Sequence, residues 1–250
     1  SRELSALSPS NPELQRLRRL ARRRSVRSDE GAYLIDGPTL LAEAIQAGVD
    51  IDTVYVEPTA LDHEVVWAAR DAGLRLRDTT AGALSKVLDL DAPQQMVTVA
   101  AQSQTTLDQL VTVSVETARP VLVLAGLSDP GNVGTLVRVA EAAGCAGVVL
   151  GPNTADLYNP KTVRATAGAV FRVPVVRVDD LVATLSSLGG AGIASVATVG
   201  GAGAPPPESV DLTGAVAVVI GNEAHGLDPT VAAVCSSQVR IPMEGLVESL

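Results

Sequence analysis

The spacing of hydrophobic and polar residues predicts alternating helices and strands over the first hundred residues. Residues 11–24 predict an amphipathic helix, because Leu14, Leu17 and Leu20 form one stripe and arginines occupy most of the remaining surface. Strands are predicted over 32–36, 52–56, 74–77 and 95–101, and helices over 38–47, 62–72 and 80–90. We therefore expect a compact α/β unit of about 100 residues.

A different pattern begins at Arg119, where short continuous apolar runs appear. Residues 121–126 and 147–150 are such runs, as expected of strands buried on both faces, and a helix is predicted between them over 133–143. A crossover of about 30 residues favours parallel pairing. Further strands are predicted over 173–178, 192–198, 215–220 and 237–241, with a surface loop over 200–209. The second half is therefore predicted to be an open α/β sheet, reached through a connector over 102–118.

Composition narrows the class of protein. The chain has 250 residues, of which 46% are hydrophobic, with two cysteines and a net charge of −9. No apolar run approaches the roughly 20 residues of a membrane helix, and the N-terminus lacks the apolar core of a secretory signal. Two cysteines form neither a disulfide framework nor a cysteine-only zinc site. We expect a cytoplasmic protein with no membrane segment and no metal.

The arginines are concentrated at the N-terminus, although the chain as a whole is acidic. Residues 1–30 hold eight arginines and four acidic residues, a net charge of +4. The other 220 residues carry 11 basic and 24 acidic side chains, a net charge of −13. A basic segment on an acidic body is a signature of polyanion binding, and a solvated helix face explains the same pattern equally well.

The first candidate site follows a predicted buried strand. In SDPGNVG, residues 128–134, the glycines allow tight turns, Asn132 can cap the next helix, and the N–H groups of that helix start suit an anion. Such turns are common in α/β proteins, so the motif alone is weakly specific. Arg138 lies further along the helix. It is either the exposed side of an amphipathic helix or a group at the ligand-binding edge of the sheet.

Three more clusters follow along the chain. Lys161 and Arg164 are three residues apart and share a helix face, so they form either a surface pair or a clamp for phosphate. Glu223, in VVIGNEAHGL, lies at the C-terminal end of a strand, where open α/β sheets place site residues. The last cluster, RIPMEGLVESL over 240–250, combines a short strand, a glycine turn and the start of an apolar helix.

In this order the clusters resemble the SpoU family of RNA 2′-O-ribose methyltransferases, part of the α/β-knot (SPOUT) superfamily. SDPGNVGTLVRVAEAAG resembles the first motif, GNEAHGL the second and IPMEGLVESL the start of the third, and NPKTVRATAGAVFRVPV resembles the segment between the first two. GAYLIDGPTLLAEAI is similar, more loosely, to a ribosomal-protein-like substrate-binding domain. The resemblance implies a small N-terminal α/β domain that binds RNA over 1–104, a linker over 105–118, and an α/β-knot methyltransferase domain with a mostly parallel sheet over 119–250.

The resemblance also implies roles for individual residues in S-adenosylmethionine-dependent methylation of a structured RNA by a homodimer. It assigns the catalytic constellation to Asn132, Arg138, Glu223 and Ser249. In the family, the counterpart of Arg138 handles the RNA phosphate or the ribose hydroxyl, and the counterpart of Glu223 orients the constellation. The implied cofactor-binding positions are Gly221, Ile241, Met243, Leu250 and Thr198. The residues assigned to RNA contact are Lys161, Arg164, Arg22, Arg23 and Arg24.

One departure from the family concerns the end of the third motif. In the family this motif continues past Ser-Leu into a helix that threads the knot and closes the cofactor pocket. This chain stops at Leu250, so we expect that helix to be missing from it.

Alternative functions remain open on the sequence. A non-catalytic RNA- or ribosome-binding protein that kept the fold would carry the same motifs. The N-terminal domain favours ribosomal RNA as the substrate, with transfer RNA as the alternative. A dinucleotide-binding oxidoreductase is disfavoured, because the chain lacks both a GxGxxG turn and an acidic residue about 20 positions after it.

Overall fold

Two separate sheets organise the chain. A computed structural model describes residues 6–88, 94–200 and 203–242. Residues 1–102 together with 156–172 form unit 1, and residues 103–155 together with 173–250 form unit 2.

The described residues contain ten α-helices and ten strands, numbered here in chain order. The helices are α1 (Pro12–Arg22), α2 (Arg24–Glu30), α3 (Pro38–Gln46), α4 (Glu64–Asp71), α5 (Ala83–Val87), α6 (Leu107–Thr117), α7 (Pro130–Ala142), α8 (Pro160–Ala165), α9 (Leu181–Gly190) and α10 (Pro229–Val234). The strands are β1 (Ala32–Asp36), β2 (Ile51–Val56), β3 (Leu76–Asp78), β4 (Met96–Ala101), β5 (Val121–Leu124), β6 (Gly147–Leu150), β7 (Val175–Arg177), β8 (Ala194–Thr198), β9 (Val216–Ile220) and β10 (Ser237–Val239).

Unit 1 is built on a four-stranded sheet in the order β1-β4-β2-β3. Strand β4 runs antiparallel to both β1 and β2, whereas β2 and β3 are parallel. The leucine stripe of α1 packs against this sheet, and Leu14, Leu17 and Leu20 are completely buried. The predicted helix over 11–24 is therefore confirmed through Arg22, and the chain bends at the extended residue Arg23 before α2 begins.

The segment 156–172 packs within unit 1, which differs from the continuous division expected from the sequence. Its attachment rests on Arg27, which is 3% exposed. The Nε and Nη2 atoms of Arg27 donate to the Asp156 carboxylate at 2.9 and 2.6 Å. The same guanidinium donates to the carbonyls of Leu20 and Ala21, so its polar atoms are satisfied inside the unit.

Two further contacts hold this segment. The rings of Tyr33 and Tyr158 lie with their centroids 4.6 Å apart, and Arg172 pairs with Glu43 at 2.6 Å. Helix α8 lies against β1. These contacts link residues more than 120 positions apart in the chain, which no local pattern of hydrophobic residues encodes.

Unit 2 is built on a six-stranded sheet in the order β10-β8-β9-β5-β6-β7, and every pairing is parallel. The predicted α/β class and parallel sheet are confirmed. The four residues of β5 and of β6 are all buried, as continuous apolar runs require when helices cover both faces.

The stretch interpreted as a connector contains helix α6. A capping box between Thr106 and Gln109 starts the helix, and Leu110 is buried in the core of unit 2. A Cβ on Gly147 would come 2.7 Å from Leu110 Cδ1, so the glycine lets the leucine lie directly on β6. Leu107, Leu110 and Val111 supply too short an apolar stripe to stand out in the sequence.

No helix within the described ranges is both long enough and apolar enough to cross a lipid bilayer.

We predict that Arg27→Met will lower the free energy of unfolding by roughly 3–5 kcal/mol, because it leaves the Asp156 carboxylate poorly paired in a largely buried place. Urea unfolding followed by circular dichroism measures this loss. Arg16→Met is the matched control, since the carboxylates that pair with Arg16 are at least 30% exposed and the expected loss is at most about 1 kcal/mol. Equal losses in the two variants would contradict the anchoring role of Arg27.

Asp36 gives a second prediction, on pH. Burial raises the pKa of its carboxyl above the ordinary 3.8, against the opposing effects of the Gln94 N–H and Arg164. Between the two pKa values the folded protein binds more protons than the unfolded chain, so Asp36 makes stability fall as pH rises through that window. Asp36→Asn should therefore have a higher Tm than the wild type at pH 7, and the difference should shrink toward pH 4. Asp50→Asn, at an exposed site, is the control; a pH-independent gap would refute the assignment.

Candidate active site

The parallel sheet of unit 2 brings the predicted motifs to one edge. Strands β5 and β9 are neighbours, with Leu124 opposite Ile220, so the loops that follow them begin side by side. The direction of chain progression reverses between these two strands, because β6 and β7 lie on one side of β5, and β9, β8 and β10 lie on the other. Open α/β sheets bind ligands at such a switch point, beyond the carboxyl ends of the strands.

A hydrogen bond joins the first and second motifs. Asn132 Nδ2 donates to Glu223 Oε1 at 2.7 Å, across 91 positions of sequence. Asn132 lies in the first turn of α7, where Asp129 is the N-cap and accepts from the Asn132 N–H at 2.9 Å. The cap thus sets the start of the helix, and the start of the helix presents the Asn132 amide to the glutamate.

The loop after β9 is a tight turn closed on itself. Asn222 and Gly226 exchange two backbone hydrogen bonds of 3.0 and 2.8 Å. A Cβ on Gly221 would come within 2.5 to 2.7 Å of the backbone of Gly226 and Leu227, so only glycine fits there. Gly221 therefore allows the close packing of the turn that carries Glu223.

Asn222 fastens this turn to the loop after β5. Its Nδ2 donates to the Gly126 carbonyl at 2.9 Å, and its Oδ1 accepts from the N–H groups of Ala224 and His225. The loop after β5 is itself held by Thr154, whose hydroxyl accepts from the Gly126 N–H at 3.1 Å and donates to the Leu124 carbonyl at 3.0 Å. The two motif loops consequently form one hydrogen-bonded assembly.

Asn222 and Thr154 were not among the residues selected from the sequence. Asn222 had a usable signal, since asparagine beside glycine in a short loop after a strand often bonds to its own backbone. Thr154 had no such signal, because it follows β6, whereas its partners Leu124 and Gly126 lie at the end of β5 and in the loop after it.

Arg138 is exposed on α7, more than one turn beyond Asn132. Within the described part of the chain, no hydrogen bond or ion pair joins it to another residue, the Asn132–Glu223 pair included. Its guanidinium is thus presented to solvent from the same helix that carries Asn132.

The candidate cofactor residues follow three adjacent strands. Thr198 ends β8, Gly221 follows β9, and Ile241 follows β10 and is 44% exposed. The Thr198 hydroxyl donates to the Val219 carbonyl at 2.9 Å, so in this structure it ties β8 to β9. Met243, Ser249 and Leu250 lie outside the described residues.

The basic residues assigned to RNA lie in unit 1. Lys161 and Arg164 are both on the exposed face of α8, as their spacing predicted, and Arg164 Nε lies 3.8 Å from the buried Asp36 carboxylate. Arg22, Arg23 and Arg24 are exposed where α1 passes into α2. Two other N-terminal arginines have structural roles instead: Arg27 is the buried anchor described above, and Arg16 pairs with Glu30 and Asp52.

Nowhere in residues 6–88, 94–200 and 203–242 do three or more histidine, cysteine, aspartate or glutamate side chains form a group that could hold a metal ion.

Known families match both halves of the chain. The model of the SpoU rRNA methylase family matches residues 119–250, and the model of the MRM3-like substrate-binding domain matches residues 11–98.

Individual relatives match over nearly the whole chain. It is 31% identical to the 23S rRNA (guanosine(2553)-2′-O)-methyltransferase RlmP of Bacillus subtilis, over 90% of this chain and 85% of that protein. Among solved structures, the S-adenosylmethionine-bound SpoU methyltransferase AviRb from Streptomyces viridochromogenes is similar at a TM-score of 0.84 and 27% identity, covering 96% of this chain and 92% of that one.

An S-adenosylmethionine-bound rRNA methyltransferase from Sinorhizobium meliloti is similar at a TM-score of 0.83 and 27% identity, covering 98% and 91% of the two chains. A family model that spans more than half of the chain and a relative that matches nine-tenths of it agree with the motifs. The chain belongs to the SpoU rRNA methylase family.

Proposed function

We propose that this protein transfers a methyl group from S-adenosylmethionine to a ribose 2′-hydroxyl of ribosomal RNA. Membership of the SpoU rRNA methylase family supports the reaction class, and the similarity to RlmP supports ribosomal RNA as the substrate. The observation that carries the proposal is the Asn132–Glu223 hydrogen bond, which joins two motifs of the family at the carboxyl edge of the sheet.

We assign RNA binding to residues 1–104 and methyl transfer to residues 119–250. Residues 105–118 link the two parts, and most of them form α6, which packs in the core of unit 2. The match of residues 11–98 to a substrate-binding domain supports the first assignment. The packing of 156–172 within unit 1 adds Lys161 and Arg164 to the same RNA-binding part.

The carboxyl edge of β8, β9 and β10 suits S-adenosylmethionine. Its adenosyl group needs an apolar surface together with backbone hydrogen-bonding groups, which are the usual lining of nucleoside sites. Ile241 offers an exposed apolar side chain at this edge, and the loops that begin at Thr198 and Gly221 bring backbone beside it. These residues, with Met243 and Leu250, would hold the cofactor.

The reaction places modest demands on acid–base chemistry. When S-adenosylmethionine is bound, its sulfonium supplies an activated methyl group. Orientation of the reacting groups is worth roughly 7–11 kcal/mol, whereas a general base is worth about 3–5 kcal/mol. We therefore assign positioning as the main task of the protein residues.

Each polar residue has a distinct part in this positioning. Glu223 holds the Asn132 amide, which leaves the amide oxygen and its second N–H for the substrate side of the loop. Arg138, exposed on α7 and always charged, binds the phosphate or the hydroxyl of the target nucleotide. Ser249 completes the catalytic set.

The RNA backbone is held by the arginines near the α1–α2 junction. Arg18, Arg19, Arg22, Arg23 and Arg24 are all exposed, and Arg18 and Arg22 are four apart on one helix face. The local positive charge of these arginines governs RNA binding more than the net charge of −9 does, because exposed charges are screened beyond about 8–10 Å.

We further propose that the protein acts as a homodimer in the cytoplasm, where ribosomal RNA is available as a substrate. Exposed apolar side chains in unit 2 support self-association. Val139 on α7 is 51% exposed, and Val113 and Val115 are exposed on α6. Their burial against a second copy would remove apolar surface from water.

We predict that the purified protein incorporates methyl groups into ribosomal RNA from cells that lack the gene, at ribose 2′-hydroxyls mapped by mass spectrometry.

Glu223→Ala should lower kcat/KM about 10- to 100-fold, because the Asn132 amide loses its charged partner. Glu223→Gln should lower kcat/KM less, since its amide oxygen still accepts the Asn132 hydrogen bond.

Arg138→Ala should lower kcat/KM about 100- to 1,000-fold.

Two outcomes would overturn these assignments. An absence of methyl incorporation together with an absence of heat on titration with S-adenosylmethionine would favour a non-catalytic RNA-binding protein. An Arg138→Ala variant that folds, binds RNA and methylates normally would remove Arg138 from the mechanism. Transfer RNA serves as the comparison substrate in the same assay.

Salt dependence tests the arginine surface. Each phosphate contact contributes a slope of about −0.7 to −0.9 to the plot of log K against log salt concentration. We predict that Arg22→Ala/Arg23→Ala/Arg24→Ala will flatten this slope for ribosomal RNA by about 2 units, measured by filter binding. The triple substitution to lysine keeps the charges and should keep the slope. An unchanged slope in the alanine variant would show that these arginines do not contact RNA.

A further inference from the structure

A groove opens in unit 1 at the end of its sheet where β1 and β2 finish and β4 begins. Asp36 pairs with Val97, and Val56 pairs with Met96, so the residues that follow β1, follow β2 and precede β4 meet at this end. The groove has a volume of about 610 Å³, within the range of roughly 300–1,000 Å³ typical of sites for small organic groups.

The groove combines an apolar floor with a polar rim. Ala60 and Met96 are buried, and Pro38 is half-buried beside them. The exposed side chains of Gln94 and Gln95 stand on one side. A flat group with a polar edge fits such a lining, because its faces meet the apolar side chains while its edge meets the amides.

Backbone hydrogen bonds and close packing fix the positions of Gln94 and Gln95. The Gln94 N–H donates to Asp36 Oδ1 at 3.1 Å, and the Gln95 carbonyl accepts from the Glu57 N–H at 2.9 Å. Gly37 has a φ of 92°, and a Cβ there would lie 2.8 Å from Gln94 Cγ. The Gln94 side chain therefore rests directly on the Gly37 backbone.

The rim of the groove also carries a histidine whose ring accepts a hydrogen bond. His63 is the N-cap of α4, and its Nδ1 accepts from the Val65 N–H at 3.2 Å. Because Nδ1 accepts this hydrogen bond, the proton of a neutral ring lies on Nε2. His63 thus offers one N–H donor at the rim, while the neighbouring Asp62 offers acceptors.

The charge of the groove argues against a phosphate group as its occupant. Among the described residues that line it, none is lysine or arginine, and Asp62 is acidic. Glutamine amides, an imidazole N–H and a carboxylate are instead the partners that hydrogen-bond the edges of unpaired bases in RNA.

Trp67 lies one turn of α4 beyond this rim. Its backbone N–H donates to the His63 carbonyl at 3.4 Å, and its side chain is 53% exposed, the largest exposed fraction among the large hydrophobic side chains described. The described tyrosines differ: Tyr33 and Tyr55 are buried, and Tyr158 packs against Tyr33. An indole ring left open to solvent beside a groove of this chemistry is a surface on which a base can stack.

We propose that this groove, which we call the base groove, holds one unpaired base of the substrate RNA, and that Trp67 stacks against the adjoining base. The base groove reads bases, whereas the arginines near the α1–α2 junction hold the backbone. The proposal rests on the proposed function in that it takes RNA to be the substrate.

The fluorescence of Trp67 tests the proposal directly, because it is the single tryptophan of the chain. Single-stranded nine-nucleotide RNAs of adenosine or uridine are titrated into the protein, alongside a ribose-phosphate oligomer of equal length without bases. We expect the two RNAs to quench the emission and the abasic oligomer to leave it unchanged. Equal quenching by all three, or no quenching, would overturn the proposal.

Variants separate stacking from charge. Trp67→Ala should weaken binding of the adenosine RNA about 5- to 150-fold, which is the fold-change that corresponds to about 1–3 kcal/mol per stacked base. Trp67→Phe should recover part of that loss. The slope of affinity against salt should not change in either variant, because stacking releases no counterions. A changed slope or unaltered affinity in Trp67→Ala would refute stacking.

The polar rim has its own pair of variants. Gln95→Ala should weaken binding of the adenosine RNA about 5-fold or more, since a base edge loses a partner, whereas Gln46→Ala, exposed at the end of α3, should bind as the wild type does. Equal affinities for the two variants would remove the rim from the proposal.

Failure of this proposal is distinguishable from failure of the proposed function. The wild-type protein is assayed for methyl transfer to ribosomal RNA in parallel. Methyl transfer without base-dependent quenching overturns the base groove alone, whereas base-dependent quenching without methyl transfer or cofactor binding overturns the enzymatic function and leaves the base groove intact.

Discussion

The parallel pairing of β5 with β9 is the constraint on which the candidate active site depends. These strands are almost 100 positions apart, and only their pairing places the loop after Leu124 beside the loop after Ile220. The hydrogen bonds from Asn222 to Gly126 and from Asn132 to Glu223 then lock the two loops together. Without that pairing the two motifs would be unrelated surface turns.

Glycine and asparagine make this arrangement possible for different reasons. Gly221 leaves room where any Cβ would collide with the returning backbone of the turn. Asn222 satisfies two N–H groups of the same turn while it bonds to the neighbouring loop, so a short exposed turn acquires a fixed shape. A rigid turn suits a reaction in which orientation contributes more than acid–base strength.

The arginines of unit 1 show how one residue type serves separate purposes. Arg27 is buried and satisfied by a carboxylate and two carbonyls, so it joins the segment 156–172 to the N-terminal helices. Arg16 makes exposed ion pairs, which contribute little to stability. The arginines near the α1–α2 junction are exposed, where a polyanion can reach them. A count of positive charges does not distinguish a structural arginine from an RNA-binding one, because the difference lies in how buried each arginine is and which groups it pairs with.

The sequence by itself determined the order and type of most elements, because the spacing of apolar residues encodes which faces are buried. The stripe of Leu14, Leu17 and Leu20 predicted α1, and the continuous apolar runs predicted β5 and β6. The motifs that carry Asn132 and Glu223 were readable as well, because glycine turns after buried strands have a local signature. The helical character of 107–117, the attachment of 156–172 and the organising parts of Asn222 and Thr154 were decided by the tertiary structure. Each depends on partners distant in the chain, such as Asp156 for Arg27 and Gly126 for Asn222, and hydrophobic periodicity describes only what a segment buries and not which distant atoms it meets.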